Sequence, residues 1–208
     1  WHPNKNGKLK AYVSNLKQTT KYWWKCDKAD DHEWEATISK RKNGRGCPFC
    51  AGQKVAKSNC FAIIKKKESK FWHPTKNGKL TPYDFTPMSD KIVWWKCDKG
   101  IDHEWESAIK SISRGGGCSI CAGKKVVESN SLATTNPDLA KEWHPTKNKN
   151  LTPSDVTEKG SKKVWWKCDK ADDHEWQSTL LNRANGNGCP ICDGKKVVKS
   201  NSLTTLSP

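Results

Sequence analysis

The sequence has 208 residues, a formal charge of +16 and only 34% hydrophobic residues, against roughly 45–50% apolar residues in an ordinary globular domain. That composition excludes one large apolar core, and no apolar run approaches the roughly 18 residues of a membrane span. Ten cysteines in so lean a chain direct attention to cross-links or metal, the usual means by which small domains offset chain entropy.

The elements recur with a period of 71 residues: WHPNKNGKL at Trp1, WHPTKNGKL at Trp72 and WHPTKNKNL at Trp143, with WWKCD placing Cys26, Cys97 and Cys168. The third copy shows their order most clearly. Asn136-Pro137-Asp138 is a helix start, with an Asn N-cap, Pro in the first turn and an acid behind it, and Leu139 and Trp143 then share a face. Thr152-Pro153-Ser154-Asp155 predicts a capped turn. Lys163 to Cys168 reads as a strand from its β-branched and aromatic residues, and His174 to Leu180 as the return strand of a hairpin. A Gly- and Asn-rich loop follows, and Lys195-Lys196-Val197-Val198 is expected as a last short strand. Placing each module's start near SNSL gives modules at 1–57, lacking its N-terminal helix, 58–128 and 129–199, with 200–208 opening a further one. Because the chain opens within a repeat, it reads as a segment of a longer protein. The expected fold is a small metal-stabilised α+β class, mostly β.

The cysteines follow one spacing. Cys26, His32, Cys47 and Cys50 are matched without change by Cys97, His103, Cys118 and Cys121 and by Cys168, His174, Cys189 and Cys192. Three thiolates and an imidazole at this spacing form a tetrahedral N/S zinc site, and the glycine ending the C-x-x-C turn lets backbone amides approach the sulfurs. Three structural Zn²⁺ are therefore expected. Cys60 lies outside the pattern, with Ser131 and Ser202 at its counterparts, and the middle knuckle has Ser119 where the others have proline. His2, His73 and His144 also recur and offer a rival nitrogen. The HEW histidines are preferred, because a hairpin returns them to the first cysteine, while WHP is expected to pack its tryptophan and hydrogen-bond its imidazole. Four protein ligands leave no open position for catalytic water. A zinc deaminase needs a glutamate two residues after the histidine, where Trp34, Trp105 and Trp176 stand. No enzyme activity is expected.

The combination WHP-x-KN, VWWKC, HEW and GCPxC resembles a family of tandem zinc-ribbon domains over nearly the whole chain. The resemblance implies a zinc-ribbon or treble-clef-like fold, zinc binding and a nucleic-acid context, sometimes beside nuclease-like segments in longer proteins. Two features depart from the pattern: Ser119, and AIIKKKESKF before Trp72 in place of the Asn-Pro helix start.

Nine thiolates and three Zn²⁺ together subtract three charges from the formal +16, leaving the loaded chain strongly basic. Such charge among aromatics is the footprint of a phosphate-backbone binder. One tryptophan of each WW pair must face away from the core side; the sequence leaves open which. The loop before the second cysteine pair varies between copies and carries Lys40, Arg41, Lys42, Arg45, Arg114 and Arg183, candidates for phosphate or base contacts. The expected function is a zinc-dependent nucleic-acid-binding array in a reducing, intracellular compartment, with duplex DNA ahead of RNA. A protein-interaction scaffold and the targeting segment of a longer nuclease are the alternatives.

Overall fold

The computed structural model describes residues 1–12 and 16–206. Three two-stranded antiparallel hairpins recur along it: β1 (Lys21–Lys25) with β2 (Glu33–Thr37), β3 (Ile92–Lys96) with β4 (Glu104–Ala108), and β5 (Lys163–Lys167) with β6 (Glu175–Thr179). The chain divides into two compact units, residues 1–96 with 105–116, and residues 97–104 with 117–208.

The hairpin register sets the core. Trp24 lies directly opposite Trp34, and Trp166 opposite Trp176, so each pair presents a broad aromatic surface on one face. The tryptophan of WHP then packs edge-on against it: Trp1 on Trp24, Trp72 on Trp95 and Trp143 on Trp166, with ring centroids 5.6, 5.5 and 5.5 Å apart. Trp95 and Trp166 are fully buried, and their indole N–H groups donate to the carbonyls of Ser107 and Ser178, so the buried polar tip is satisfied. The outward member of each WW pair is therefore Trp23, Trp94 or Trp165. A lysine covers each of these rings: Lys5, Lys76 and Lys147 lie 4.5, 4.5 and 4.7 Å from the ring centroids.

Each return strand runs straight into a short helix: α1 (Ile38–Lys42), α3 (Ile109–Ser113) and α6 (Leu180–Ala184). Thr37 and Thr179 end their strands by accepting the N–H of Lys40 and Asn182, the N-cap bond that favours helix over further strand. Further short helices follow the knuckles. They are α2 (Phe61–Ile64), α4 (Leu132–Thr135), α5 (Pro137–Lys141) and, near the chain end, α7 (Leu203–Leu206). The Asn136 side chain caps α5 as expected. Where the Asn-Pro start is missing before Trp72, a 3-10 turn over Glu68–Phe71 stands instead. Leu132 and Leu139 fill the third core together with Val156, Val164, Trp166, Trp176, Leu180 and Ile191.

The strand expected over Lys195 to Val198 is not formed. Its backbone is bound by one side chain. Asn201 Oδ1 accepts the Val198 N–H at 2.7 Å, and Asn201 Nδ2 donates to the carbonyls of Ile191 and Lys196. Asn59 and Asn130 do the same after the first and second cysteine pairs, so the SN motif ties each knuckle to the helix that follows. Asn6, Asn77 and Asn148 make a comparable clamp elsewhere. Each side-chain amide both accepts from and donates to the backbone of the outward tryptophan, taking the part of a missing neighbouring strand.

Candidate metal centre

Three elements deliver the ligands. The first cysteine follows the first strand, the histidine precedes the second, and a backbone bond from Cys26 N to His32 O at 3.0 Å closes the turn between them. Cys97 with His103 and Cys168 with His174 repeat that bond at the same length. The knuckle brings the remaining pair. Gly52, Gly123 and Gly194 hold φ of +71°, +68° and +68°, a left-handed conformation in which a side chain is strained, and this reverses the chain after the last cysteine.

The donor atoms of each predicted set lie within 4.8 Å of one another. Zn–S bonds of about 2.3 Å require tetrahedral S···S edges of about 3.8 Å. The Cys26–Cys50, Cys97–Cys121 and Cys168–Cys192 sulfurs are each 3.7 Å apart, and all ten cysteines are free rather than paired in disulfides. His32 Nδ1 lies 3.7 and 3.5 Å from the sulfurs of Cys47 and Cys50, and His103 and His174 take the same place in their sets. The arrangement fits a four-coordinate ion held through Nδ1. The opposite ring nitrogen of His32 meets Ser58 Oγ at 3.1 Å, and that hydroxyl donates to Asp31 at 2.6 Å. Such an outer partner fixes ring orientation and tautomer. Ser129 and Ser200 cap Asp102 and Asp173 through their backbone N–H. Desolvation and then neighbouring thiols push Cys50 up to about 11, and Cys121 and Cys192 to about 12. A cation among them reverses that tendency, because metal coordination stabilises the thiolate.

The WHP histidines are built differently. His2 Nδ1 accepts the N–H groups of Asn4 and Lys5, while Nε2 meets Glu33 at 2.9 Å; His144 repeats this with Thr146, Lys147 and Glu175. Lys5 and Lys147 pair with the same glutamates. Glu33 is thereby pulled down to about 2, by the hydrogen bond from Lys5 first and from His2 second. Cys60 is buried, and its thiol reaches the Lys57 carbonyl as the Ser131 and Ser202 hydroxyls reach those of Glu128 and Lys199.

The loop cations divide into two groups. Lys40, Lys42, Arg45 and Arg114 are exposed. Arg183, expected on the loop surface, is instead only 7% exposed. Its guanidinium lies 5.3 and 5.2 Å from the ring centroids of Trp166 and Trp176, pairs with Glu142 and donates to the Asn187 carbonyl. Arg41 is half-buried over Trp24 and Trp34 in the same way. One period from each lies Ile112, which is buried. Counting back from the cysteine pair therefore marks this as a core position.

A hairpin and a C-x-x-C knuckle around one closed Cys₃His site define a small structural zinc finger, present three times. A family model described as "Probable Treble clef zinc finger domain" matches residues 1–53, 69–124 and 139–195. The chain belongs to that family and binds three structural zinc ions. No curated protein matches it.

Proposed function

We propose that the chain is a non-catalytic, intracellular nucleic-acid-binding array that takes duplex DNA ahead of RNA. The observation that carries this reading is the formal charge of +16, of which zinc with its nine thiolates removes only three. Lys40, Lys42 and Arg45 extend it as a compact exposed group on α1 and its loop, and Arg114 stands at the corresponding loop of the middle copy. Linked modules along a polyanion gain effective concentration with each engaged unit. Four protein donors at each metal leave no site for a reacting water, and free thiolate ligands suit a reducing compartment.

The test is the salt dependence of binding by the zinc-loaded chain. Log affinity for duplex DNA is expected to fall linearly with log salt, at about −0.9 per phosphate neutralised. Replacing Lys40, Lys42 and Arg45 together with alanine flattens that slope, and an RNA duplex of equal length competes less well. Absence of binding to either nucleic acid at low salt defeats the proposal and promotes the protein scaffold.

A further inference from the structure

A groove of about 250 Å³ lies beside the first knuckle, floored by Gly52 and Thr86 and walled by Phe49, Ile64, Pro87 and Met88. Across that floor the Thr86 hydroxyl donates to the Gly52 carbonyl at 3.3 Å. One period later the groove recurs beside the second knuckle at about 260 Å³, with Gly123 and Thr157 as its floor. Its walls differ in chemistry. Ile120 replaces Phe49, but Thr135, Glu158 and Lys159 stand where the first groove has Ile64, Pro87 and Met88. The Thr135 hydroxyl donates to the Ser131 carbonyl at 2.9 Å, whereas Ile64 and Met88 leave apolar surface open, at 54% and 52% exposure.

The segment that supplies Ile64 is AIIKKKESKF, the departure from the repeat before Trp72. Phe61 and Ala62 enter the core, Ile63 and Ile64 are exposed, and Lys65, Lys66 and Lys67 follow directly, the last two exposed. One period later Thr134, Thr135, Asn136, Pro137 and Asp138 stand in place of those two isoleucines and three lysines. An apolar lip and a run of cations thus occur together at this joint. The groove is smaller than the roughly 300–1,000 Å³ of small-molecule sites, and it suits one large side chain. Its walls offer a phosphate no donor, which favours a protein segment over nucleic acid. We propose that the groove docks an acidic segment of a partner protein, seating one Leu, Met or Phe against Ile64 and Met88 while flanking carboxylates face Lys65, Lys66 and Lys67. A buried apolar anchor gives such a contact its strength, and the complementary charges around it give speed and selectivity. The site does not draw on Lys40, Lys42 or Arg45, so it stands whether or not the array binds nucleic acid.

The probes are synthetic peptides of Asp and Glu with one central Leu, Met or Phe. Met88 is the single methionine of the sequence, so selective labelling gives one methyl resonance inside the groove. On zinc-loaded, reduced protein, at least one of these peptides is expected to move that resonance to saturation. Peptides of equal charge with Ser at the centre leave it in place, as do peptides with the same anchor set among lysines. Ile64→Thr with Met88→Lys carries wall residues of the second groove and therefore keeps its fold and zinc content. It weakens binding of the labelled peptide by about tenfold or more, although it adds a positive charge. Lys66→Glu with Lys67→Glu also weakens it, with the groove intact. A Met88 resonance that no anchored acidic peptide moves overturns the inference, as does undiminished binding by either double variant. So does an equal response to the Ser-centred peptides, which means charge alone, or to duplex DNA, which assigns the surface to nucleic acid.

Discussion

Two histidines per repeat occupy opposite chemical settings, and the difference lies in what each ring nitrogen faces. His32, His103 and His174 turn Nδ1 to thiols, whereas His2 and His144 spend Nδ1 on two backbone N–H groups and Nε2 on a glutamate. A nitrogen accepting two amide hydrogens has no lone pair for metal. Native mass spectrometry should therefore find two zinc ions in His103→Ala and three in His144→Ala. The second variant should still lose about 1.5–3 kcal/mol in a zinc-saturated melt, the range for a hydrogen bond to a charged partner. Three bound ions in His103→Ala contradict the ligand assignment. The acid at this contact has a defined pH sense. Because the folded Glu33 is lowered to about 2 from an ordinary 4.5, its contribution is present above the ordinary value and fades as pH falls through the lowered one.

At the scale of elements, the hairpin, the knuckle and the Asn136 cap were legible in the sequence because each rests on local chemistry. Aromatic and β-branched residues, ligand spacing and a capping side chain act within a few neighbours. Three features were less legible, two because a nearby polar side chain outcompetes strand propensity and one because the deciding partner is distant. Val197 and Val198 look like strand, but Asn201 takes their backbone bonds. Leu180 reads as the end of a strand, but the Thr179 hydroxyl starts a helix there. Arg183 reads as surface, since arginine is seldom buried unless paired, and its pair lies 41 residues away at Glu142. The repeat itself holds the clue. One period earlier, Glu142 and Arg183 correspond to Phe71 and Ile112, an apolar pair in place of an ionic one. Buried ion pairs are often replaceable by apolar groups at little cost, while removing one partner costs about 3–5 kcal/mol. Glu142→Phe alone, which strands a guanidinium whose side chain is 5% exposed, is expected to lose that much in denaturant melts. Glu142→Phe with Arg183→Ile should recover most of it. A double variant as unstable as the sum of the two singles refutes this exchange.

Across the whole molecule, the first and second metals are each connected to a core beyond their own hairpin. Asn130 holds the Ile120 carbonyl between two ligands of the middle zinc and also ends the 3-10 turn, Glu128–Asn130, that delivers Leu132 to the third core. Asn59 and Phe61 make the corresponding link from the first zinc, reinforced by Thr86 Oγ1 on the Gly52 carbonyl. Metal binding in small domains is folding free energy, with apparent values of about 10–16 kcal/mol for structural zinc, so loss of one ion should be felt downstream of its ligands. The expected consequence is directional. In His103→Ala, hydrogen exchange at Leu132 and along β5 should quicken even though the third site, Cys168, His174, Cys189 and Cys192, keeps its zinc, while β1 and β2 retain their protection. Native exchange resolves such partial openings because each cooperative unit opens with its own free energy. Acceleration confined to residues 97–121, with β5 amides as slow as in the natural chain, would show that the Asn130 clamp carries no coupling and that each finger folds on its own metal alone.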